Sequence, residues 1–201
     1  MRSAITQPPR GQTGREEILA AATRIFGERG ISSTSLREVA RAAGVSPALV
    51  VHHFGGKDGL VAAVDEAAVA AFAAAYATGG EEGADLLRER AEQTARVMRE
   101  QPDVCAYLGR ALVERTGGGT AAFQAMVEGG RAEVDSLAER GALRPDADRL
   151  WAALQHFFLI WAPLSFMPLL EEALGGPLLE PEQFDRWVEA NVRLLAEGLY
   201  R

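Results

Sequence analysis

Residues 34–57, TSLREVARAAGVSPALVVHHFGGK, decide how the chain is read. Ser35 followed by Glu38 is a capping box, so a helix is predicted to start there. Leu36, Val39, Ala40 and Ala43 recur at three and four residues and give that helix one apolar face. Gly44 supplies the left-handed residue that ends it. Ser46 is a favoured N-cap, and Pro47 stands at the first helical position, where its missing N–H costs nothing. Two helices joined by a turn of about three residues containing glycine form a helix-turn-helix.

The second of these helices has a surface ill suited to water. With Val50 facing the core, Phe54 falls about 40° away on the same side, at roughly 100° per residue. Ala48 and His52 then point to the opposite side, with Leu49 and Val51 on the flanks. Small apolar side chains and an imidazole suit the major groove of DNA, where thymine methyls accept apolar contacts and base edges accept hydrogen bonds. On this geometry Ser46, Pro47, Ala48, Leu49 and His52 are the candidate base-facing residues. Arg37 and Arg41 lie on the preceding helix, and the N–H groups near Thr34 and Ser35 can hold a phosphate.

Working outward, Thr13 and Glu16 make a second capping box, and a first helix is expected over 13–29. It buries Ile18, Leu19, Ala22, Ile25 and Phe26, and Gly30 closes it. Together with Leu36, Val39, Val45, Val50 and Phe54, these residues give a small three-helix head.

This stretch resembles the DNA-binding domain of the tetracycline-repressor-like (TetR) regulators. The matching residues are Ser35-Leu36-Arg37-Glu38-Val39-Ala40, Ala43-Gly44-Val45-Ser46, His53-Phe54 and Lys57, and the likeness covers about residues 13–65. Arg37 matches a position at which such regulators often touch DNA. Lys57 matches their phosphate-binding lysine, and His53 a phosphate donor. Two residues depart from the pattern. Ala48 stands where the family usually has Gly, and Val51, which has no hydroxyl, stands where it usually has a phosphate-binding Tyr. His52 or His53 must replace that contact, or it is lost.

The chain has 201 residues, 48% of them hydrophobic, enough for a small domain and a larger one. Its net charge is −7, unevenly spread: residues 1–57 hold eight Lys/Arg and four Asp/Glu, a net of +4, whereas residues 58–201 hold thirteen and twenty-four, a net of −11. A basic head on an acidic body is the footprint of local phosphate binding. No apolar window reaches the roughly 18 residues of a membrane span. The start, MRSAITQPPRGQTG, has no apolar h-region and reads as a flexible basic arm over 1–12. A single cysteine, Cys105, fits a reducing cytoplasm.

Beyond the head the class is all-α. Lys57 opens an alanine-rich helix to about residue 77, carrying Leu60, Val64, Phe72 and Tyr76. Further helices are expected over 82–100, 103–115, 120–140, 147–172 and 181–200. Their breaks fall at Gln101-Pro102, Gly117-Gly118-Gly119, Gly141 and Gly175-Gly176-Pro177, and Pro163 and Pro168 should kink the fourth. The domains are thus the arm 1–12, a helix-turn-helix domain 13–57 and an effector-binding and dimerisation domain 58–201. In the last helix Phe184, Trp187, Val188, Val192, Leu194, Leu195 and Leu199 form a broad apolar stripe around Asn191, a polar residue of the kind that sets register and partner number. The resemblance implies a homodimer through the last two long helices.

Several residues invite other chemistry. His52 and His53 point about 100° apart with no third ligand at helical spacing, so no metal is expected. Cys105 lacks the surroundings of a nucleophile and reads as core. No cofactor and no catalysis are expected. Among the aromatic and methionine residues of the body, Tyr107, Phe123, Met126, Phe158 and Trp161 are the candidate lining of an apolar effector pocket, with Gln155 and His156 as polar groups. The expectation is a repressor that binds a palindromic operator as a homodimer and is released by a small apolar effector. The alternative is a helical enzyme or small-molecule carrier with an incidental helix-turn-helix.

Overall fold

A computed structural model describes residues 10–76 and 83–199, and these form nine α-helices. They are α1 (Arg10–Arg29), α2 (Leu36–Ala42), α3 (Pro47–Phe54), α4 (Lys57–Tyr76), α5 (Gly83–Glu100), α6 (Pro102–Glu114), α7 (Gly117–Glu139), α8 (Arg149–Leu174) and α9 (Pro181–Leu199). The first three make the head. One apolar cluster runs through it without a break: Ile18, Phe26, Val39 and Val50 continue into Leu60 and Val64 of α4, then Leu108 and Ala111 of α6 and Ala122 of α7. Head and body therefore share packing along α4 and α6.

The local signals of the helix-turn-helix stand as written in the residues. Ser35 caps α2, its hydroxyl accepting from the Glu38 N–H at 3.3 Å while Glu38 Oε2 accepts from the Ser35 N–H at 2.8 Å. Gly44 turns the chain at φ 67°. Ser46 caps α3 by accepting from the Leu49 N–H at 3.2 Å, with Pro47 in the first turn, and Gly55 ends it in the left-handed region at φ 74°.

Two boundaries differ from expectation. α1 begins at Arg10, so residues 10–12 belong to the helix rather than to the arm, and Thr13 lies within it instead of capping it. Gly11 is a weak helix former but does not stop the helix. The second difference is Gly117-Gly118-Gly119, expected as a break, which is the first turn of α7. Thr116 caps that turn by accepting from the Gly119 N–H at 2.9 Å. The glycines are there for closeness. A Cβ on Gly118 would overlap the Asp65 carboxyl, and one on Gly119 would overlap the Ala111 carbonyl.

Asp65 is the other half of that contact. It sits on α4 with only 9% of its surface exposed. Tyr107 Oη donates to its Oδ1 at 2.6 Å, and Thr116 Oγ1 lies 3.4 Å from the same oxygen. The Gly118 N–H donates to Oδ2 at 2.9 Å. The carboxylate thus faces the N-terminus of α7, where the helix dipole favours negative charge. Burial, then the bond to Asp65 and its charge, push the Tyr107 hydroxyl far above the ordinary tyrosine range, so it remains a donor.

α8 is bent between its two prolines. Phe166 leaves helical geometry at φ −122°, ψ 15°, two residues before Pro168, whose ring and missing N–H break the ladder to Leu164. α9 buries Phe184 and Val188 against Ala91 and Ala95 of α5, and Leu195 against α7 and α8. α8 exposes Leu150, Trp151, Phe158, Phe166 and Leu169, and α9 exposes Leu194. Asn191 is half-buried.

If the Asp65 contact holds α4 to α6 and α7, Tyr107→Phe should lower stability although it removes no apolar surface. The expected loss is about 1.5–3 kcal/mol, that of a hydrogen bond to a charged group. It should be read as a lower urea midpoint at unchanged slope. Gly118→Ala should cost at least as much.

Candidate nucleic-acid interface

α3 divides into two faces. Pro47, Ala48, Val51 and His52 are exposed, whereas Val50 is fully buried and Leu49, His53 and Phe54 are half-buried. Two placements differ from expectation. Val51 stands on the outer face, 48% exposed, rather than on a flank. Leu49 packs on the head core and reaches α1 at Gly14, so it belongs to the inner side and not to the base-facing set. The cause is α1, which covers the flank that carries Leu49.

Phe54 is clamped from α1 by the Arg15 guanidinium, 5.3 Å from its ring centroid. The His53 ring stacks edge-on between His52 and Phe54, at 5.4 and 6.2 Å. Its Nε2 is enclosed and meets no partner, so only Nδ1 is left to meet a phosphate. His52 and Ser46 are exposed. Among the described residues no three His, Cys, Asp or Glu side chains stand together as a metal-ligand set.

The cationic groups flank this face. Arg37 and Arg41 of α2 are exposed. Lys57, the first residue of α4, is half-buried, and its Nζ donates to the Ser32 carbonyl at 3.5 Å, beside the start of α2. Thr34 does not join them. It is 3% exposed, its hydroxyl donates to the Gly30 carbonyl at 2.9 Å and its N–H to the Ile31 carbonyl at 3.2 Å. Its polar groups are spent closing the turn after α1, where orphaned helix carbonyls need donors. Ser35 is likewise a cap, with its N–H and hydroxyl both given to the Glu38 carboxylate. Those bonds, the backbone one foremost, hold the Glu38 carboxyl below its ordinary range. The N–H groups left to face a phosphate at this helix start are those of Leu36 and Arg37.

The expected effector residues are only partly gathered. Tyr107 is 1% exposed and its hydroxyl is committed to Asp65. Phe123 meets Phe157 edge-on at 4.9 Å, and Met126 packs on the main core. Phe158 is half exposed beside Phe157. The side chains of Trp161, His156, Phe72 and Tyr76 lie outside the described residues. An open groove of about 650 Å³ lies elsewhere, between the end of α8 and α9, lined by Leu170, Leu174, Trp187 and Leu194 among others.

Two features escaped the reading of the sequence. One is Asp65, whose signal is a lone carboxylate spaced with Val61 and Ala68 on the inner side of an apolar helix. The other is Arg110 of α6, whose Nε donates to the Gly27 carbonyl at 3.1 Å and whose Nη2 donates to that of Glu28 at 3.4 Å. It caps the end of α1 from the body. A Cβ on Gly27 would come within 3.0 Å of the Tyr107 nitrogen, so α1 and α6 cross nearly backbone to backbone.

A three-helix head that exposes the second helix of a helix-turn-helix, joined to a larger helical body, defines a helix-turn-helix protein. Residues 18–64 match the sequence model of bacterial regulatory proteins of the tetR family. That match covers the head, 47 of the 201 residues. An HTH-type transcriptional repressor of Mycobacterium tuberculosis is 54% identical over 56 residues, 26% of this chain and 30% of that protein. The HTH-type transcriptional regulator BetI of Brucella anthropi is 49% identical over 49 residues, 24% of this chain and 25% of its own length. The match thus spans less than a third of these relatives. Solved structures extend the likeness to the whole fold. A TetR transcriptional regulator from Chloroflexus aurantiacus superposes with a TM-score of 0.69 at 20% identity, covering 94% of this chain and 98% of its own. A ketosteroid transcriptional regulator of M. tuberculosis gives 0.66 at 17%, covering all of both chains. At such identities the likeness concerns the fold alone.

Burial pushes the Cys105 thiol up to about 12 from an ordinary value near 9. Iodoacetamide at pH 8 should leave the native protein unmodified and alkylate it once unfolded in guanidinium. Rapid alkylation of the native chain would contradict the burial.

Proposed function

We propose that the chain is a transcriptional regulator, a repressor, that binds a palindromic operator as a homodimer. The observation that carries this reading is α3, held from behind by Val50 and Phe54 while Pro47, Ala48, Val51 and His52 face outward. Arg37, Arg41 and Lys57 flank that face and supply the phosphate contacts, with Ser46 at its leading edge. The reading assigns the chain no catalysis, and its place of work is the cytoplasm, with the DNA. No helix of the described residues is long and apolar enough to cross a membrane.

The dimer forms through α8 and α9. Support for this comes from the six large apolar side chains exposed on these two helices. A twofold partner would cover them and place the two heads for adjacent major grooves about 34 Å apart.

A small apolar effector in the body, near Phe123, Met126 and Phe157, releases the DNA. α4 spans about 30 Å at 1.5 Å per residue, with Lys57 at the head end and Asp65 tied to α6 and α7. A ligand that shifts α6 or α7 therefore moves the head through that carboxylate. The coupling is reciprocal, so operator must weaken the effector by the same factor.

Fluorescence anisotropy on duplexes enriched from a random pool tests the reading. Operator affinity should fall linearly with salt on logarithmic axes, and Lys57→Ala should weaken all duplexes alike and flatten that slope by about one unit. Equal binding to enriched and random duplex at moderate salt would refute it. Light scattering should give a dimer at micromolar concentration, and Leu169→Glu with Leu194→Glu should give monomers that bind the operator more than about tenfold more weakly.

A further inference from the structure

We infer that α3 reads its operator through pyrimidine C5-methyl groups, with Val51 and Ala48 as the residues that sense them. The inference rests on the DNA-binding reading above and names what that site recognises. Pro47, Ala48, Val51 and His52 stand at helical spacings of three and four and form the whole exposed face of α3. Base pairs are told apart most strongly by forked side chains, Arg or Lys on guanine and Asn or Gln on adenine. None of the four is of that kind. Three carry no donor or acceptor on the side chain at all, and His52 alone can exchange a hydrogen bond with a base edge.

What such a face can distinguish in the major groove is the methyl group at C5 of thymine, the one apolar feature that a base pair presents there. Val51 is a large apolar residue, and at 48% exposure its side chain is open to contact. Ala48 lies one turn earlier on the same face and permits close approach of the helix backbone. The exposed Arg37 and Arg41 beside this face are complementary in charge to the phosphates on either side of the groove. 5-Methylcytosine carries the same methyl at the same place, so the chemistry recognised is the C5-methyl, whichever pyrimidine bears it.

The test uses the full chain and a duplex enriched from a random-sequence pool. Each thymine of that duplex is replaced in turn by deoxyuridine, which removes the methyl and leaves every hydrogen-bonding edge unchanged. One or two positions in each half-site should lose about fourfold in affinity, and about fifteenfold when both half-sites are altered, as expected for one buried methyl each. At such a position 5-methylcytosine should bind better than cytosine. Val51→Ala should bring the thymine-to-uracil ratio towards one at its position while leaving the salt slope and the melting temperature unchanged. Tight binding with a ratio of one at every thymine would overturn the methyl reading and leave DNA binding intact. Methyl dependence that survives both Val51→Ala and Ala48→Gly would overturn the assignment to these residues. Failure to enrich any duplex would instead overturn the DNA-binding reading beneath it.

Discussion

A carboxylate buried among helices must be met by donors, and Asp65 is met from two helices and the cap between them. Tyr107 brings α6 and the Gly118 N–H brings the first turn of α7, with the capping Thr116 alongside. Much of the surrounding architecture answers to this constraint. Gly118 of α7 is needed because the carboxyl lies where a Cβ would stand, and Thr116 both caps the turn and lies within reach of the carboxyl. The tyrosine is locked as a donor by the environment that buries the acid. Losing one donor leaves the buried carboxylate one partner short, at the cost of a hydrogen bond to a charged group.

α6 does a second job on its other side. Arg110 closes the C-terminus of α1, and Gly27 lets the two backbones approach. Because α1 also carries Ile18, Ala22 and Phe26 of the head core, α6 packs directly against the head. Head and body are joined by packing at two places, α1 on α6 and α4 on α6 and α7.

The recognition helix shows the same economy. Its inner residues are anchored by α1, with Leu49 at Gly14 and Phe54 under Arg15, and this leaves the outer four exposed. His53 is a residue between the two demands, with one ring nitrogen enclosed. Thr34 and Ser35 show the converse, since polar side chains that look available for a phosphate are consumed by the turn and the cap they build.

The residues by themselves determined the elements of the head and the all-helical class, because caps, glycine turns and apolar periods act within a few positions of the chain. Ser35 with Glu38, Gly44, Ser46 with Pro47, and the bend beside Pro168 are of this kind. Tertiary structure decided between the two flanks of α3, half-burying Leu49 and leaving Val51 exposed, since α1 and not the helical period selects the covered flank. It likewise turned a run of three glycines from an expected break into a helix start, because a capping threonine and a carboxylate 53 residues away compensate their poor propensity. Asp65 and Arg110 were invisible as a framework for the same physical reason. A buried polar group has meaning only through its partners, and those partners are far apart in the chain.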